Sequence, residues 1–216
     1  MLAIGEEVAP KKAFVWAVEW PGWCRSGRTV EAARQTLVAA RPRYSAVAHV
    51  AGLRLPRVTI DHLEVVESLQ GGGGTEFGVP SSIGADDRRS VTAREATRLA
   101  GLVDAAWTIF DRVASEAPAE LRKGPRGGGR DTAKVIAHVV EADSAYAREI
   151  GIKNKPPSPD DANAVAALRA SILDVLSDGT DSSPLADRKW TLRYAARRIA
   201  WHAIDHAWEM EDRTDS

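Results

Sequence analysis

The chain contains almost no cysteine, and this shortage limits the sites that it can build. Cys24 is the single cysteine in 216 residues, which excludes an internal disulfide and a zinc site made of cysteines. The residues before Lys12 lack the basic and then apolar pattern of a secretion signal. No stretch approaches the roughly 20 apolar residues of a membrane helix. These absences predict a cytoplasmic protein without a membrane partner.

An excess of positive charge is also missing. The whole chain has 29 basic and 30 acidic residues, and residues 1–70 have nine basic and seven acidic ones. Binding to nucleic-acid phosphates normally requires a clear basic excess. The charge balance therefore argues against nucleic acid as a partner.

Residues 1–70 show the pattern of a small α/β domain. Residues 13–20 alternate large apolar with small or polar side chains before a Pro-Gly turn, which predicts a strand, and residues 23–26 would be its hairpin partner. Thr29 caps a helix that Pro42 interrupts, and a second helical stretch runs to about Val50. Residues 57–67 predict another strand, with a bulge or break near Asp61. The predicted order is β-β-α-β.

The second half of the chain has a helical pattern throughout. Residues 71–91 begin with four glycines and predict a flexible linker or loop. Beyond them, Thr92 and Glu95 form a capping box for a helix ending near residue 115. Three further amphipathic segments follow, at about residues 131–151, 161–176 and 189–211. The prediction is an α+β, two-domain chain in which residues 92–216 form a four-helix bundle.

Three of the five histidines fall on two of these helices. His138 lies on the apolar stripe of the second helix, and His202 and His206 lie four residues apart on the fourth. Residues at i and i+4 share one helix face, so three imidazoles can converge on a divalent metal between facing helices. The alternative is a core histidine at His138 and a partly exposed pair on the other helix. Glu141 and Glu209 lie on the same faces as the histidines and are candidates for a general base or an orienting group.

A basic, glycine-rich segment at residues 121–130 leads directly into the helix that carries His138. Lys123, Arg126 and Arg130, together with the helix N-terminus, are candidates to hold an anionic substrate or cofactor. The alternative interpretation is a solvated loop between two helices.

The two histidine-bearing segments resemble the DinB/YfiT-like superfamily of metal-binding four-helix bundles. The resemblance rests on two segments. TAKVIAH, at residues 132–138, belongs to a capped helix and has His138 as its last letter, and RRIAWHAIDH, at residues 197–206, contains His202 and His206. It implies that these three histidines bind a divalent ion, usually zinc or nickel. It further implies a metal-dependent hydrolase, or a thiol S-transferase that uses a low-molecular-weight thiol such as mycothiol.

The N-terminal part resembles HicB-like small α/β domains in its Trp-Pro-Gly turn at residues 20–22 and its Ser-Gly-Arg-Thr helix start at residues 26–29. That resemblance implies an alternative function as a non-catalytic, antitoxin-like interaction module. The sequence contains no helix-turn-helix or basic ribbon that would bind DNA in such a role. It also leaves a homodimer open.

Overall fold

One mixed sheet of four strands occupies the N-terminal third of the chain. Its strands are β1 (Leu2–Val8), β2 (Ala13–Ala17), β3 (Cys24–Gly27) and β4 (Leu63–Gln70), in the spatial order β3-β2-β1-β4. β1 pairs antiparallel with β2 and parallel with β4. Two helices, α1 (Val30–Ala39) and α2 (Arg41–Val50), join β3 to β4. The structure is a computed structural model that describes residues 1–123, 129–178 and 183–214.

Helices dominate the rest of the described chain. They are α3 (Gly73–Phe77), α4 (Ala93–Glu116), α5 (Thr132–Glu149), α6 (Ala162–Ser177) and α7 (Leu192–Arg213). α4 packs against α6 and α7, and α5 packs against the same two helices, so the four long helices form a bundle. The α+β class and the four long helices predicted from the sequence are confirmed, with ends that differ by a few residues. None of the described helices is long and apolar enough to cross a membrane.

The central strand β1 is the main error of the sequence prediction, which began the sheet at residue 13. β1 carries Gly5, Glu6 and Glu7, a composition unlike that of an ordinary inner strand. These residues have their contacts in other elements of the fold. Glu6 pairs with Arg34, and a side chain on Gly5 would collide with the Trp16 ring. The observed order is therefore β-β-β-α-α-β rather than β-β-α-β.

The predicted break near Asp61 is confirmed. A short 3₁₀ turn at Ile60–His62 precedes β4, so the strand starts later than residue 57. The pairing of β4 with β1 also shifts register, because Ile4 lies opposite Val65 and Gly5 lies opposite Glu67. The 3₁₀ turn coincides with the change of parity in the apolar pattern near Asp61, whereas the register shift lies further along, inside β4.

Residues 71–91, the predicted flexible linker or loop, contain the short helix α3 and make polar contacts with the sheet and with α7. The fully buried carboxylate of Glu7 accepts hydrogen bonds from the Thr75 hydroxyl and from the amides of Ser81 and Ser82. Asp87 forms a buried ion pair with Arg197 at 2.6 Å. These contacts show that part of the glycine-rich segment packs against the rest of the protein.

A large buried apolar cluster connects the sheet to the helices. It contains Ile4 and Val15 from the sheet, Tyr44 from α2, and residues of α4 and α7 such as Leu102 and Ile199. The other face of β2 packs Phe14 and Trp16 against Trp201 of α7. α7 thus touches both the sheet and the bundle, and it is the helix that carries two of the three candidate ligands. The boundary between two domains stays a prediction.

Candidate metal centre

α5 and α7 bring the three histidines together. α5 buries Val135 and Val139 against the bundle, which directs His138 of the same stripe toward α7. On α7 the i and i+4 spacing places His202 and His206 one turn apart, with ring centroids 4.6 Å from each other. The ring of His138 lies 5.0 Å from that of His202 and 4.9 Å from that of His206. The predicted convergence of these side chains is confirmed.

The ring nitrogens have the spacing that a common ligand requires. One nitrogen from each histidine lies within 4.8 Å of the other two, and the Nε2 atoms of His138 and His202 are 3.2 Å apart. Two imidazole nitrogens bound to zinc at 2.0–2.1 Å with tetrahedral angles are separated by about 3.3 Å. A divalent ion can therefore fit among these nitrogens with small adjustments of the side chains.

Glu209 orients His206. The carboxylate can only accept a hydrogen bond, so the 2.8 Å contact identifies Nδ1 of His206 as the donor and leaves the lone pair on Nε2. Arg213 holds the other oxygen of Glu209 at 2.9 Å. The bond from His206 is the main reason that the pKa of Glu209 is lowered, and Arg213 acts in the same direction. A carboxylate held by two donors is a weak proton acceptor, which favours an orienting role over that of a general base.

Burial favours the neutral form of two of the three histidines. It lowers the pKa of His202 well below its ordinary value, and the charges of His206 and Arg198 act in the same direction. Burial also lowers the pKa of His138, with Arg130 as the next cause. Metal binding requires deprotonated imidazoles, so this environment suits a metal site. Nδ1 of His202 is buried and has no hydrogen-bond partner among the described residues.

The remaining predicted site residues take different positions. Glu141 is exposed and acts on His138 through its charge, which partly opposes the lowering of that histidine's pKa. Lys123 and Arg130 are exposed, and Arg126 lies outside the described residues. Arg130 influences both His138 and His202 electrostatically, and Asp131 is the N-cap residue of α5, although its side chain makes no capping hydrogen bond. An anion site on this segment, and a catalytic role for Glu141, stay predictions.

Three residues near the centre escaped the sequence prediction as site residues. Arg213 lies four residues beyond Glu209, and Arg198 lies four residues before His202. Tyr146 lies on α5, and its ring meets that of His202 edge-on at 5.5 Å. The i and i+4 spacing along α7 could have identified both arginines.

Comparisons of the chain with known protein families, curated proteins and solved structures gave no significant match. The assignment of a function therefore depends on the site itself, and the resemblance to DinB/YfiT-like proteins stays a prediction.

Proposed function

We propose that this chain is a divalent-metal-binding protein that carries out metal-dependent chemistry on a small molecule, either thiol S-transfer or hydrolysis. The single observation that supports it most is the convergence of three imidazole nitrogens within 4.8 Å at a partly buried position. The resemblance to the DinB/YfiT-like superfamily supports the same assignment. Imidazole ligands suit zinc and nickel alike, and both metals belong to the proposal.

The side chains divide the work. His138, His202 and His206 hold the metal, Glu209 fixes the ring of His206, and Arg213 fixes Glu209. A divalent ion held by three ligands keeps further positions for substrate and supplies acidity, since it lowers the pKa of water or of a thiol that approaches it. A low-molecular-weight thiol such as mycothiol is the proposed co-substrate for the transferase, and water takes its place in the hydrolase.

The two alternatives, a thiol S-transferase and a hydrolase, predict different responses of the metal's absorption spectrum to an added thiol. Protein reconstituted with Co²⁺ is titrated with mycothiol and with its oxidised disulfide, and the visible absorption spectrum is recorded. Saturable changes with the reduced thiol alone support the transferase. No response to the thiol, combined with turnover of ester or amide substrates, supports the hydrolase. Cobalt that fails to bind contradicts both.

A suitable control for this titration is His49→Ala, because His49 is exposed on α2 and takes no part in the histidine cluster. This variant should reproduce the wild-type spectrum. His202→Ala should abolish it, because it removes the most buried of the three ligands. Equal spectra for the two variants would mean that cobalt binds elsewhere.

A second candidate function, a partner-binding module, is favoured by the exposed edge of the sheet. β4 is the outermost strand beyond β1, and Val65 and Val66 on it are 42% and 48% exposed. Edge strands with exposed apolar side chains are typical sites of strand addition by a partner. The full chain and its Val66→Lys variant are compared in pull-downs. A protein retained by the wild type and lost by the variant supports this function.

A further inference from the structure

Two buried arginines on α7 are paired with carboxylates, whereas the partly buried Arg198 is not. Arg193 pairs with Glu19 and Glu95, and Arg197 pairs with Asp87. The guanidinium of Arg198 makes no ion pair with any described residue, and its Nη1 is buried without a hydrogen-bond partner. A partly buried cation without a counter-charge carries a desolvation cost that a bound anion would offset.

Aromatic rings hold the Arg198 guanidinium in place. It lies 4.7 Å from the ring centroid of Trp201 and 5.3 Å from that of Tyr146. The ring of Tyr146 also packs edge-on against His202, so the same aromatic residue contacts both the cation and the candidate metal ligand. Arg198 precedes His202 by four residues, a rise of about 6 Å along the helix. The cation therefore lies within the length of a small molecule from the histidine centre.

Two neighbouring side chains have the same deficit. Nε1 of Trp201 and Nδ1 of His202 are buried, and neither has a partner among the described residues. Nη1 of Arg198 shares this deficit, as does Nη1 of Arg197, whose guanidinium is otherwise paired with Asp87, so four such nitrogen atoms lie between residues 197 and 202 of α7. Buried polar groups in folded proteins are nearly always hydrogen-bonded, so such a concentration indicates a missing acceptor.

We propose that Arg198 binds the carboxylate of a small anionic substrate whose other end reaches the centre formed by His138, His202 and His206. The inference rests on the proposed function, because it assigns the substrate class of that same site. One unpaired guanidinium matches one carboxylate in charge and in planar geometry. This assignment moves the anion contact from the predicted loop at residues 121–130 to α7.

Binding of two thiols of similar size tests the proposal. Co²⁺-loaded protein is titrated with 3-mercaptopropionate and with 2-mercaptoethanol, and both affinities are taken from the visible spectrum. Arg198→Gln should weaken the binding of 3-mercaptopropionate by about tenfold or more and leave the affinity for 2-mercaptoethanol within twofold of the wild-type value. Direct binding of the carboxylate to cobalt is common to both proteins, so the change in the ratio of affinities isolates Arg198.

Two further variants serve as controls. Arg198→Lys retains the charge and should recover part of the preference for the carboxylate, whereas Arg94→Gln removes an exposed arginine of α4 and should leave the ratio unchanged. Metal content and circular dichroism, measured on every variant, show whether the fold and the centre survive. If Arg198→Gln has lost its fold or its metal, Arg198→Lys takes its place in the comparison. Arg198→Lys is expected to show an intermediate ratio of the two thiol affinities.

The outcomes separate this inference from the proposed function. An unchanged ratio in Arg198→Gln with full cobalt loading overturns the role of Arg198 and leaves the metal centre standing. Loss of the preference in Arg130→Gln instead would assign the anion to the segment before α5 and would also overturn it. Failure of the wild type to bind cobalt overturns the proposed function and this inference together.

Discussion

The two sides of α5 carry buried polar clusters that differ in how far their hydrogen bonds are satisfied. On one side, Asp143 is 1% exposed and accepts hydrogen bonds from Trp107 and Arg169, and Arg169 also pairs with Asp111. On the other side, His138 meets two histidines of α7, and Nδ1 of His202 has no partner among the described residues. A cluster that satisfies itself contributes to the fold, whereas one that leaves buried nitrogens free is arranged for something that binds there.

The cavity beside the Asp143 cluster is consistent with this difference between the two clusters. The Asp143 side lines an apolar cavity of about 400 Å³ between α4, α5 and α6, with Arg169 in its wall. Both carboxylates that contact Arg169 belong to the protein, so the main polar group of that cavity is already paired. On the histidine side, by contrast, Nδ1 of His202 has no partner among the described residues. Free donor and acceptor atoms are the better guide to the site in this molecule.

The largest effect expected is on stability, at the Asp143 side. Arg169→Leu leaves the carboxylate of Asp143 buried with only the Trp107 N–H as a donor, which should cost about 3 kcal/mol in the free energy of unfolding at pH 7. Urea denaturation measures this cost. Metal binding should be unchanged. A variant as stable as the wild type would show that the Asp143 cluster is not a structural one.

The pH dependence of stability sharpens the contrast. Burial raises the pKa of Asp143 from its ordinary value of 3.8 to about 6, against the opposing effect of Arg169. The folded state then holds this proton more tightly than the unfolded state. The resulting stabilisation is present below about pH 4 and is lost as the pH rises through about 6.

The measurement is the stability difference between wild type and Asp143→Asn at pH 4 and at pH 7. It should shift by about 2.4 kcal/mol against the wild type between these two pH values, because 1 pKa unit is worth about 1.4 kcal/mol and Asp143 of the unfolded chain is already partly ionised at pH 4. All other titratable groups are common to both proteins and cancel in the difference. Parallel pH profiles would contradict the raised pKa.

Metal should stabilise the wild type and leave His202→Ala unaffected. At a zinc concentration 100 times the dissociation constant, the free energy of unfolding should rise by about 2.7 kcal/mol. Without metal, the His202→Ala substitution should change stability by less than about 1 kcal/mol, because the ring it removes has an unsatisfied nitrogen. Thermal denaturation with and without zinc gives both values. Equal zinc stabilisation of the two proteins would exclude His202 as a ligand.

The smallest effect expected is on metal affinity at the partner of His206. Glu209→Gln replaces a carboxylate that accepts from Nδ1 of His206, and it should weaken zinc binding by about 10-fold to 100-fold. Glu141→Gln is the matched control, because Glu141 is an exposed glutamate of α5 and has no described hydrogen bond to a histidine. Competition with a chromophoric zinc chelator measures both affinities. A larger loss in Glu141→Gln would reverse the roles assigned to these glutamates.

The sequence allowed the helical half of the molecule to be predicted well. Helix α4 begins at Thr92 with the predicted capping box, and the i and i+4 spacing of His202 and His206 correctly placed both rings together. These features depend on residues close together in the chain, where helical periodicity dictates geometry.

What the sequence could not reveal depends on contacts between distant segments. β1 looks unlike a strand until Glu7 is seen to accept hydrogen bonds from Thr75, Ser81 and Ser82, more than 60 residues away. The glycine-rich stretch looked like a linker for the same reason. The position of Arg198, which has no ion pair among the described residues, was equally hidden, because a counter-charge can be looked for only once the neighbours in space are known.

Metal content per chain tests the central claim most directly. Untagged wild-type protein, His202→Ala and His49→Ala are incubated with zinc or nickel, desalted and analysed for metal. The account predicts about one equivalent in the wild type and in His49→Ala, and almost none in His202→Ala. Wild-type protein that remains free of metal after reconstitution, or retention of a full equivalent by His202→Ala, would contradict it.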